Sequence, residues 1–435
     1  MTPLPRGSEL TPRSVDVLVV GAGSAGATAA IAAARNGAST LLVDRLGFVG
    51  GTSTAVLDTF YAFYTPGQQP RKVVGGIPDE VVARLTERGA AFPRPNTYGA
   101  GTGITYDPEV LKLVWEELAL EAGVSVLLHS FAHAAELDDD ARITTVRLWT
   151  KGGELVVRAA CVIDASGDAD VAALAGVAHE RPGQGGGLQS LSTVFRLANV
   201  DVERAEAVAK AEFWSLMQEA AKSGEYALPR LEGSVHRTPL PGVMMALMTR
   251  VRDVDATDPD QLTRAELEGR RQTREYFRFL RDRVPGYENA VLVSTSPAIG
   301  VRESRRILGR YVLSADDCLS ARAFPDQIAL CGAPIEDHHA GADTRWVYLP
   351  DGAAYGIPYR ALLPREVEGL LVAGRCFSAT HDAHASARSM ATCMAMGQAA
   401  GTAAALAVTH DGVPGDVEPG LLRARLAGDG ACVGD

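Results

Sequence analysis

The stretch from residue 15 to residue 45 constrains the fold of this chain more than any other. The apolar, β-branched run VDVLVV at 15–20 predicts a strand buried on both faces. It leads directly into GAGSAG at 21–26, an alanine-rich helical pattern, a second apolar strand at 39–43 and then Asp44. The glycines allow a tight turn and bring a pyrophosphate to a helix N-terminus, while the acid suits ribose hydroxyls. This order predicts a dinucleotide-binding unit, and the charge of Asp44 disfavours a 2′-phosphate.

Composition narrows the class of partner. The 435-residue chain has a formal net charge of −11, whereas nucleic acids and anionic membranes attract basic surfaces. We therefore expect no nucleic-acid partner; a small-molecule substrate is expected from the family resemblance described below. The six cysteines are scattered without a CxxC pair, which favours reduced thiols in the cytoplasm over a disulfide framework. Residues 1–14 are polar, so we expect a loose leader and not a signal peptide.

One charge-free stretch has the length of a membrane span. Residues 389–409 contain Gly397 and Gly401 in a GxxxG arrangement, and alanine, glycine, serine and threonine dominate. Such residues make insertion into lipid weakly favourable at best. We expect a buried helix that backbone or cofactor approaches closely, and no membrane association.

Later segments of the chain are arranged as expected if the chain comes back to contact the same dinucleotide. A second glycine pair, followed by a hydroxyl residue, lies at 50–52, although an ordinary glycine turn is the alternative. Alternating patterns predict three meander strands at 124–128, 143–148 and 154–158. An apolar strand then enters the Ala-Ser-Gly turn at 165–167.

Five segments carry a resemblance to a known family. They are VVGAGSAGATAAIAAARNGASTLLVDRLGFVGGT, VIDASGDADVAALAG, GVRESRRILGRY, YGIPYRALLP and LLVAGRCFSATHDAHASARSMATCMAMGQAAGTAAA. On these segments the chain resembles the FAD-dependent oxidoreductase family, whose FAD-binding fold is similar to those of glutathione reductase and fumarate reductase. The resemblance implies FAD and an α/β fold. That fold is a Rossmann-like domain, with a parallel sheet plus a three-stranded meander, and an inserted α+β substrate or cap domain.

The resemblance also implies domain boundaries and cofactor contacts. We predict a discontinuous FAD-binding domain at 14–60, 107–181 and 291–412, a substrate or cap domain at 61–106 and 182–290, and flexible or peripheral termini at 1–13 and 413–435. The implied FAD-binding residues are Gly21, Gly23, Ser24, Ala25, Gly26, Asp44, Arg45, Gly50, Gly51, Thr52, Ala165, Ser166, Gly167, Gly374, Arg375, Met390, Ala391 and Thr392. The last three would start a helix whose N–H groups face the flavin and stabilise negative charge on the reduced ring.

The candidate catalytic residues lie in a loop predicted just before that helix. His384 and Arg388 are four residues apart, and our hypothesis is that His384 or His381 deprotonates the substrate while Arg388 holds an anion. Loop packing is the alternative for both histidines. Arg302 and His339 are second-rank candidates. We predict no metal site, because neighbours in sequence such as the two histidines at 338–339 rarely share one ion.

The leading function is two-electron oxidation or reduction of a small organic metabolite by hydride transfer with FAD. A non-redox flavoprotein of the isomerase, cyclase or lyase type is one alternative. A flavin subunit that passes electrons to a protein partner is another. The sequence leaves open oxidase against dehydrogenase, a redox partner protein and a homo-oligomer.

Overall fold

The computed structural model describes residues 10–184, 187–338 and 344–434. The strands are β1 Arg13–Val20, β2 Thr40–Val43, β3 Thr59–Phe60, β4 Ala91–Pro95, β5 Thr102–Tyr106, β6 Ser125–Leu127, β7 Phe131–Leu137, β8 Ile143–Thr150, β9 Gly153–Asp164, β10 His179–Glu180, β11 Phe195–Ala198, β12 Ser234–Arg237, β13 Met244–Leu247, β14 Val291–Thr295, β15 Arg306–Ile307, β16 Gln327–Cys331, β17 Ile335–Asp337, β18 Arg345–Val347, β19 Tyr355–Pro358 and β20 Leu370–Val372. The helices are α1 Ser24–Arg35, α2 Thr52–Ala55, α3 Ile77–Glu87, α4 Pro108–Glu121, α5 Asp170–Leu174, α6 Val202–Ala207, α7 Lys210–Lys222, α8 Pro259–Arg283, α9 Ala315–Leu319, α10 His381–Ala387, α11 Met390–Thr409 and α12 Pro419–Gly428.

The central sheet has the predicted Rossmann-like α/β arrangement. Its strand order is β6-β2-β1-β9-β8-β7, and β20 also pairs with β9. Strands β6, β2, β1, β9 and β20 are joined by parallel pairings, so their carboxyl ends share one edge of the sheet. The chain leaves that edge at Gly21, Asp44, Ala165 and Ala373. Loops at such an edge are where open α/β sheets bind ligands.

The meander differs in detail from its prediction. The segment predicted as its first strand is β6, which pairs in parallel with β2 at the sheet edge. The antiparallel meander consists instead of β7, β8 and the first half of β9. Strand β9 runs unbroken for 12 residues, where the sequence suggested two strands. Its apolar second half is buried between β1 and β20, so one strand belongs to both parts of the sheet.

Helix α11 is the charge-free stretch of the sequence, and it is a core helix in this fold. Its length and composition would allow it to cross a membrane, but 89 % of its most apolar window is buried inside the protein. Small residues let it lie against α1. A Cβ on Gly397 would lie 2.1 Å from the carbonyl oxygen of Ala25, and one on Gly401 would lie 2.0 Å from that of Ala29. The predicted close approach of backbone is confirmed.

Residues 187–298 form most of the inserted domain, which has its own core. Strands β12-β13-β11-β14 make an antiparallel sheet, and helices α6, α7 and α8 supply apolar side chains such as Phe213 and Phe279 to a separate cluster. The buried side of α8 includes Tyr276 and Leu280, whereas Leu267 is exposed. We call this unit the cap.

Three segments pack differently from their predicted assignments. Strand β14 lies in the range 291–412 predicted for the FAD-binding domain, but it pairs with β11 in the cap sheet. Within 61–106, helix α3 buries Val81 and Leu85 in the main core of the FAD-binding domain, not in the cap core. The end of the chain was predicted to be flexible or peripheral. Instead α12 packs against α11 and buries Leu422 and Leu426 in the same core.

Substituting Gly401→Ala should destabilise the protein through the α1–α11 contact. The new Cβ would collide with the Ala29 carbonyl, and overpacking a core costs about 1–3 kcal/mol. We expect the midpoint of thermal unfolding to fall by several degrees. Gly428→Ala is the matched control, because its Cβ would meet no atom within 4 Å and alanine favours helix. Equal midpoints for the two variants would contradict this packing.

Candidate active site

One cavity runs along the carboxyl edge of the central sheet. Its wall includes the turns after β1, β2, β9 and β20, the segment around α2, the N-terminal ends of α1 and α11, and residues from cap strands β12 and β13. The sheet and the cap therefore enclose one continuous space.

Two helix N-termini open on this cavity without side-chain caps. Gly23 is the N-cap of α1 and Ser389 is the N-cap of α11, and neither helix has an acid in its first turn. The Oγ atom of Ser24 is buried and has no hydrogen-bond partner in the described part of the chain. Free N–H groups at a helix start attract anions. Such a donor set fits the diphosphate of a dinucleotide.

Glycines shape the wall next to these N–H groups. Gly21 has φ of 96°, and a Cβ there would lie 2.4 Å from the carbonyl oxygen of Ala165. Gly51 has φ of 53°, and its Cβ would lie 2.8 Å from Cα of Gly23. Gly23 itself is different, because a Cβ there would meet no protein atom within 4 Å. The fold therefore requires glycine at positions 21 and 51, whereas Gly23 borders open space.

Asp44 closes the same end of the cavity. Its Oδ2 atom accepts a hydrogen bond from the Ala22 N–H at 2.5 Å, and Oδ1 accepts one from the Leu46 N–H at 2.7 Å. Burial raises the pKa of the Asp44 carboxyl, and these backbone donors oppose that rise. The carboxylate thus holds the glycine turn and lines the cavity at the position predicted for ribose.

Arg375 lies on the opposite wall and is already paired. It donates to Asp168 Oδ1 at 2.7 Å and to Ser304 Oγ at 2.9 Å. Burial raises the pKa of Asp168, but the Arg375 charge outweighs it, and the pKa ends below its ordinary value. This pair holds the β9 and β20 turns together beside Gly167.

Most of the predicted FAD-binding residues line this cavity. Those on the wall are Gly21, Gly23, Ser24, Ala25, Asp44, Arg45, Gly51, Thr52, Ala165, Ser166, Gly167, Gly374, Arg375 and Met390. Four lie behind it: Gly26 packs on the Gly21 carbonyl, Gly50 forms the turn before α2, and Ala391 and Thr392 are buried in α11.

Two arginines on the wall of the same cavity have neutral partners. Arg302 donates to the Ser190 carbonyl at 2.6 Å and to Ser192 Oγ at 3.0 Å. Arg388 donates to the Glu336 carbonyl at 3.0 Å, and its buried Nε has no partner in the described residues. Burial lowers the pKa of both guanidinium groups, with mutual repulsion contributing for Arg302, whose pKa falls to about 9.

Glu336 is the nearby negative charge on this wall. Burial raises the pKa of its carboxyl, but His338 and the two arginines outweigh that effect and bring the pKa to about 2. Glu336 Oε1 lies 2.8 Å from Nε2 of His338. The group is therefore ionised at neutral pH and a weak base.

The predicted catalytic histidines do not line the cavity. They belong to helix α10, where the sequence suggested a loop. Nε2 of His384 lies 2.7 Å from the Arg375 carbonyl oxygen, and burial holds the pKa of His384 well below its ordinary value, with nearby arginines adding to the effect. His381 is buried between Glu303 and Asp337. His339 lies outside the described residues.

A histidine–carboxylate pair that sequence reasoning missed does line the cavity. Nε2 of His236, on cap strand β12, lies 2.9 Å from Oδ1 of Asp58, which directly precedes β3. The partners are 178 residues apart. No local spacing or periodicity links them, so only the docking of the cap reveals the pair.

Asp337, His381 and Asp382 are close enough to ligate one metal ion, since their ligand atoms lie within 4.8 Å of one another. Arg345 already pairs with both carboxylates, at 3.3 Å and 2.6 Å. The guanidinium group of Arg345 thus already supplies positive charge to these carboxylates. The prediction of no metal site stays a prediction.

Comparison with known proteins gives one match over nearly the whole chain. The model of the family described as "FAD dependent oxidoreductase" matches residues 16–426. Digeranylgeranylglycerophospholipid reductase 3 of Methanosphaera stadtmanae is 26 % identical over 156 residues, which are 32 % of this chain and 36 % of that protein. The match therefore spans about a third of that relative's length.

Solved structures resemble the chain at low identity. A geranylgeranyl bacteriochlorophyll reductase-like protein of Thermoplasma acidophilum is 15 % identical, with 95 % of this chain and 82 % of that chain covered and a TM-score of 0.47. The flavin-dependent brominase Bmp2 is 13 % identical, with 95 % and 84 % covered and a TM-score of 0.49.

Gly23→Ala should separate cofactor binding from folding. Its backbone, at φ −67° and ψ −175°, is open to alanine, and the new methyl group would enter only the cavity. We expect an unchanged apoprotein midpoint of thermal unfolding and FAD affinity lowered at least about tenfold. Gly26→Ala is the contrast, because its Cβ would lie 1.7 Å from the Gly21 carbonyl oxygen and should destabilise the apoprotein. Full FAD content in purified Gly23→Ala protein would contradict the assignment.

His381 should make stability depend on pH. Burial lowers its pKa, but Asp337 and Glu303 outweigh burial and raise the pKa from 6.5 to about 9. The raised pKa means that the stabilisation is complete below pH 6.5 and is lost as pH rises to 9, by roughly 3 kcal/mol. We expect the thermal midpoint to fall more steeply over this range in the wild type than in His381→Gln. The exposed His410→Gln should keep the wild-type slope; identical slopes in all three proteins would contradict this role.

Proposed function

Because the chain belongs to the FAD dependent oxidoreductase family, we propose that it oxidises or reduces a small organic anion by two-electron hydride transfer with FAD. The observation that carries the proposal is the pair of guanidinium groups of Arg302 and Arg388 on the wall of the cavity that also holds the glycine turns. Both donate only to neutral oxygens among the described residues.

An anion would relieve the cost of burying these two charges. Burial lowers the pKa of both arginines, and neither donates to a carboxylate among the described residues. Together with ionised Glu336 they carry a net charge of about +1, which suits a monocarboxylate. A planar carboxylate can accept two parallel bonds from one guanidinium.

Other residues on the cavity wall would hold the cofactor. The N-terminus of α1, Ser24 and the glycine turns suit the diphosphate, and Asp44 suits the ribose. FAD, when bound, supplies the hydride acceptor or donor. The N-terminal N–H groups of α11 would face negative charge that develops beside Met390.

Anaerobic titration separates this proposal from its alternatives. The panel is a set of 2-hydroxy, 2-amino and 2-enoic carboxylates, with their amides as uncharged controls; enoates are tested on the reduced protein. Bleaching or recovery of flavin absorbance by an acid, and not by its amide, supports the proposal. Turnover with the flavin oxidised throughout would favour a non-redox flavoprotein. Bleaching that becomes catalytic only with an added redox protein would favour a flavin subunit.

We also propose that the protein acts in the cytoplasm. All six cysteines are free thiols, which favours a reducing compartment.

Arg388→Met should weaken binding of the anionic substrate. Losing a charge-assisted hydrogen bond costs about 1.5–3 kcal/mol, so we expect Kd to rise roughly 10- to 100-fold. Arg388→Lys keeps the charge but loses the planar fork, and we expect an intermediate Kd. The measurement is the perturbation of flavin absorbance by the acid that bleaches the wild type. Equal Kd values for all three proteins would rule out Arg388 as the anion-binding group.

A further inference from the structure

We propose that His236, held in place by Asp58, is the acid–base residue of the reaction, with its Nδ1 atom exchanging the proton. This inference rests on the proposed function and adds to it the group that moves the proton. The two residues come from different domains, since Asp58 belongs to the FAD-binding domain and His236 to the cap strand β12.

The geometry assigns a separate task to each ring nitrogen of His236. Nε2 lies 2.9 Å from Asp58 Oδ1, and the Asp58 side chain is 1 % exposed. Nδ1 has no hydrogen-bond partner among the described residues, and the ring lines the cavity. An ionised Asp58 binds the Nε2–H group, so a neutral ring carries its lone pair on Nδ1. Base, orienting carboxylate and free nitrogen form the arrangement that general-base catalysis requires.

The charges around the pair keep Asp58 ionised. Burial raises the pKa of Asp58, but His236, Arg196 and Arg94 outweigh it, and the pKa ends below its ordinary value. Arg94 also donates to the Tyr61 hydroxyl at 2.8 Å. Burial raises the pKa of Tyr61, so this neighbour is a neutral phenol at neutral pH. Asp58 therefore remains available as an acceptor for His236.

The other carboxylates on the described wall are poorer candidates for the base than His236 is. Asp44 accepts two backbone N–H bonds, and Asp168 is paired with Arg375. Glu336 has a pKa of about 2 and is too weak a base. His236 is the one histidine on the cavity wall within residues 10–184, 187–338 and 344–434.

An alcohol or amine substrate would lose a proton and a hydride in this step. The O–H or N–H bond breaks and its proton goes to His236 Nδ1, while the adjacent C–H bond breaks and its hydrogen leaves with two electrons. A C=O or C=N bond forms, the substrate is oxidised, and oxidised FAD is the acceptor. Asp58 stabilises the resulting imidazolium until its proton passes to solvent. In the reductive direction the imidazolium donates the proton.

The kinetic test uses the holoenzyme and the panel acid, a 2-hydroxy or 2-amino carboxylate, that bleaches the wild type. We expect His236→Gln to slow anaerobic flavin reduction about 10²- to 10⁴-fold, while Kd for that acid changes less than about threefold. Asp58→Asn should also slow the reaction, because the amide no longer fixes the ring tautomer or stabilises the imidazolium.

The matched control is His133→Gln. His133 is also paired with a carboxylate, with Nε2 2.9 Å from Glu154 Oε1, but it lies on β7 away from the cavity wall. Its rate of flavin reduction should equal that of the wild type. A wild-type reduction rate in His236→Gln, or an equal loss in His133→Gln, would overturn the inference.

A second readout needs no substrate. In ¹⁵N-histidine NMR of the holoenzyme, the signals lost in His236→Gln identify this ring. We expect the neutral ring to carry hydrogen on Nε2, and Asp58→Asn to weaken that preference; a ring protonated on Nδ1 overturns the inference. If no panel acid bleaches the wild type, the proposed function fails and this inference fails with it. If the wild type bleaches and His236→Gln bleaches equally fast, this inference alone fails.

Discussion

The backbone contact between α1 and α11 is the constraint on which the cofactor site depends. Gly397 and Gly401 let α11 lie directly on the carbonyl oxygens of Ala25 and Ala29. Helix α1 follows β1, the first strand of the central sheet in chain order, and α11 comes after β20, the last. This contact therefore joins an early part of the chain to a late one. It also brings two uncapped N-termini to one cavity. The small residues of α11, which give it the composition of a possible membrane span, therefore also set the distance between the positive N-terminal ends of α1 and α11.

The charged groups on the cavity wall differ in how they are compensated. Asp168 is paired with Arg375, and Asp44 is bound by backbone N–H groups. Arg302 and Arg388 donate only to neutral oxygens among the described residues. The glycine turns and the uncapped helix starts offer N–H donors, whereas these two guanidinium groups offer positive charge without a bonded carboxylate. A bound anion would gain most by placing its charge against them.

The sequence predicted those parts of the site whose chemistry is written in adjacent residues. The GAGSAG turn, Asp44 and the Ala-Ser-Gly turn lie where the motif order requires, because each follows directly from a strand end. The roles of the histidines in α10 could not be predicted in this way. Whether His384 meets the cavity or the core depends on the rotation of a seven-residue helix, which the 381–388 pattern does not fix. The pairing of Asp58 with His236 depends on how two domains dock.

Cap strands β12 and β13 line the cavity with one face and pack against the cap core with the other. Ser234 and His236 line the cavity, while Val235 between them packs against the cap core, and His236 pairs in register with Met245. Shifting β12 by one residue would exchange these faces. The imidazole would then enter an apolar core and the valine would face the cavity. Substitutions in the apolar core of the cap that shift the register of β12 would therefore remove His236 from the cavity. They would change the reaction as well as the stability of the protein.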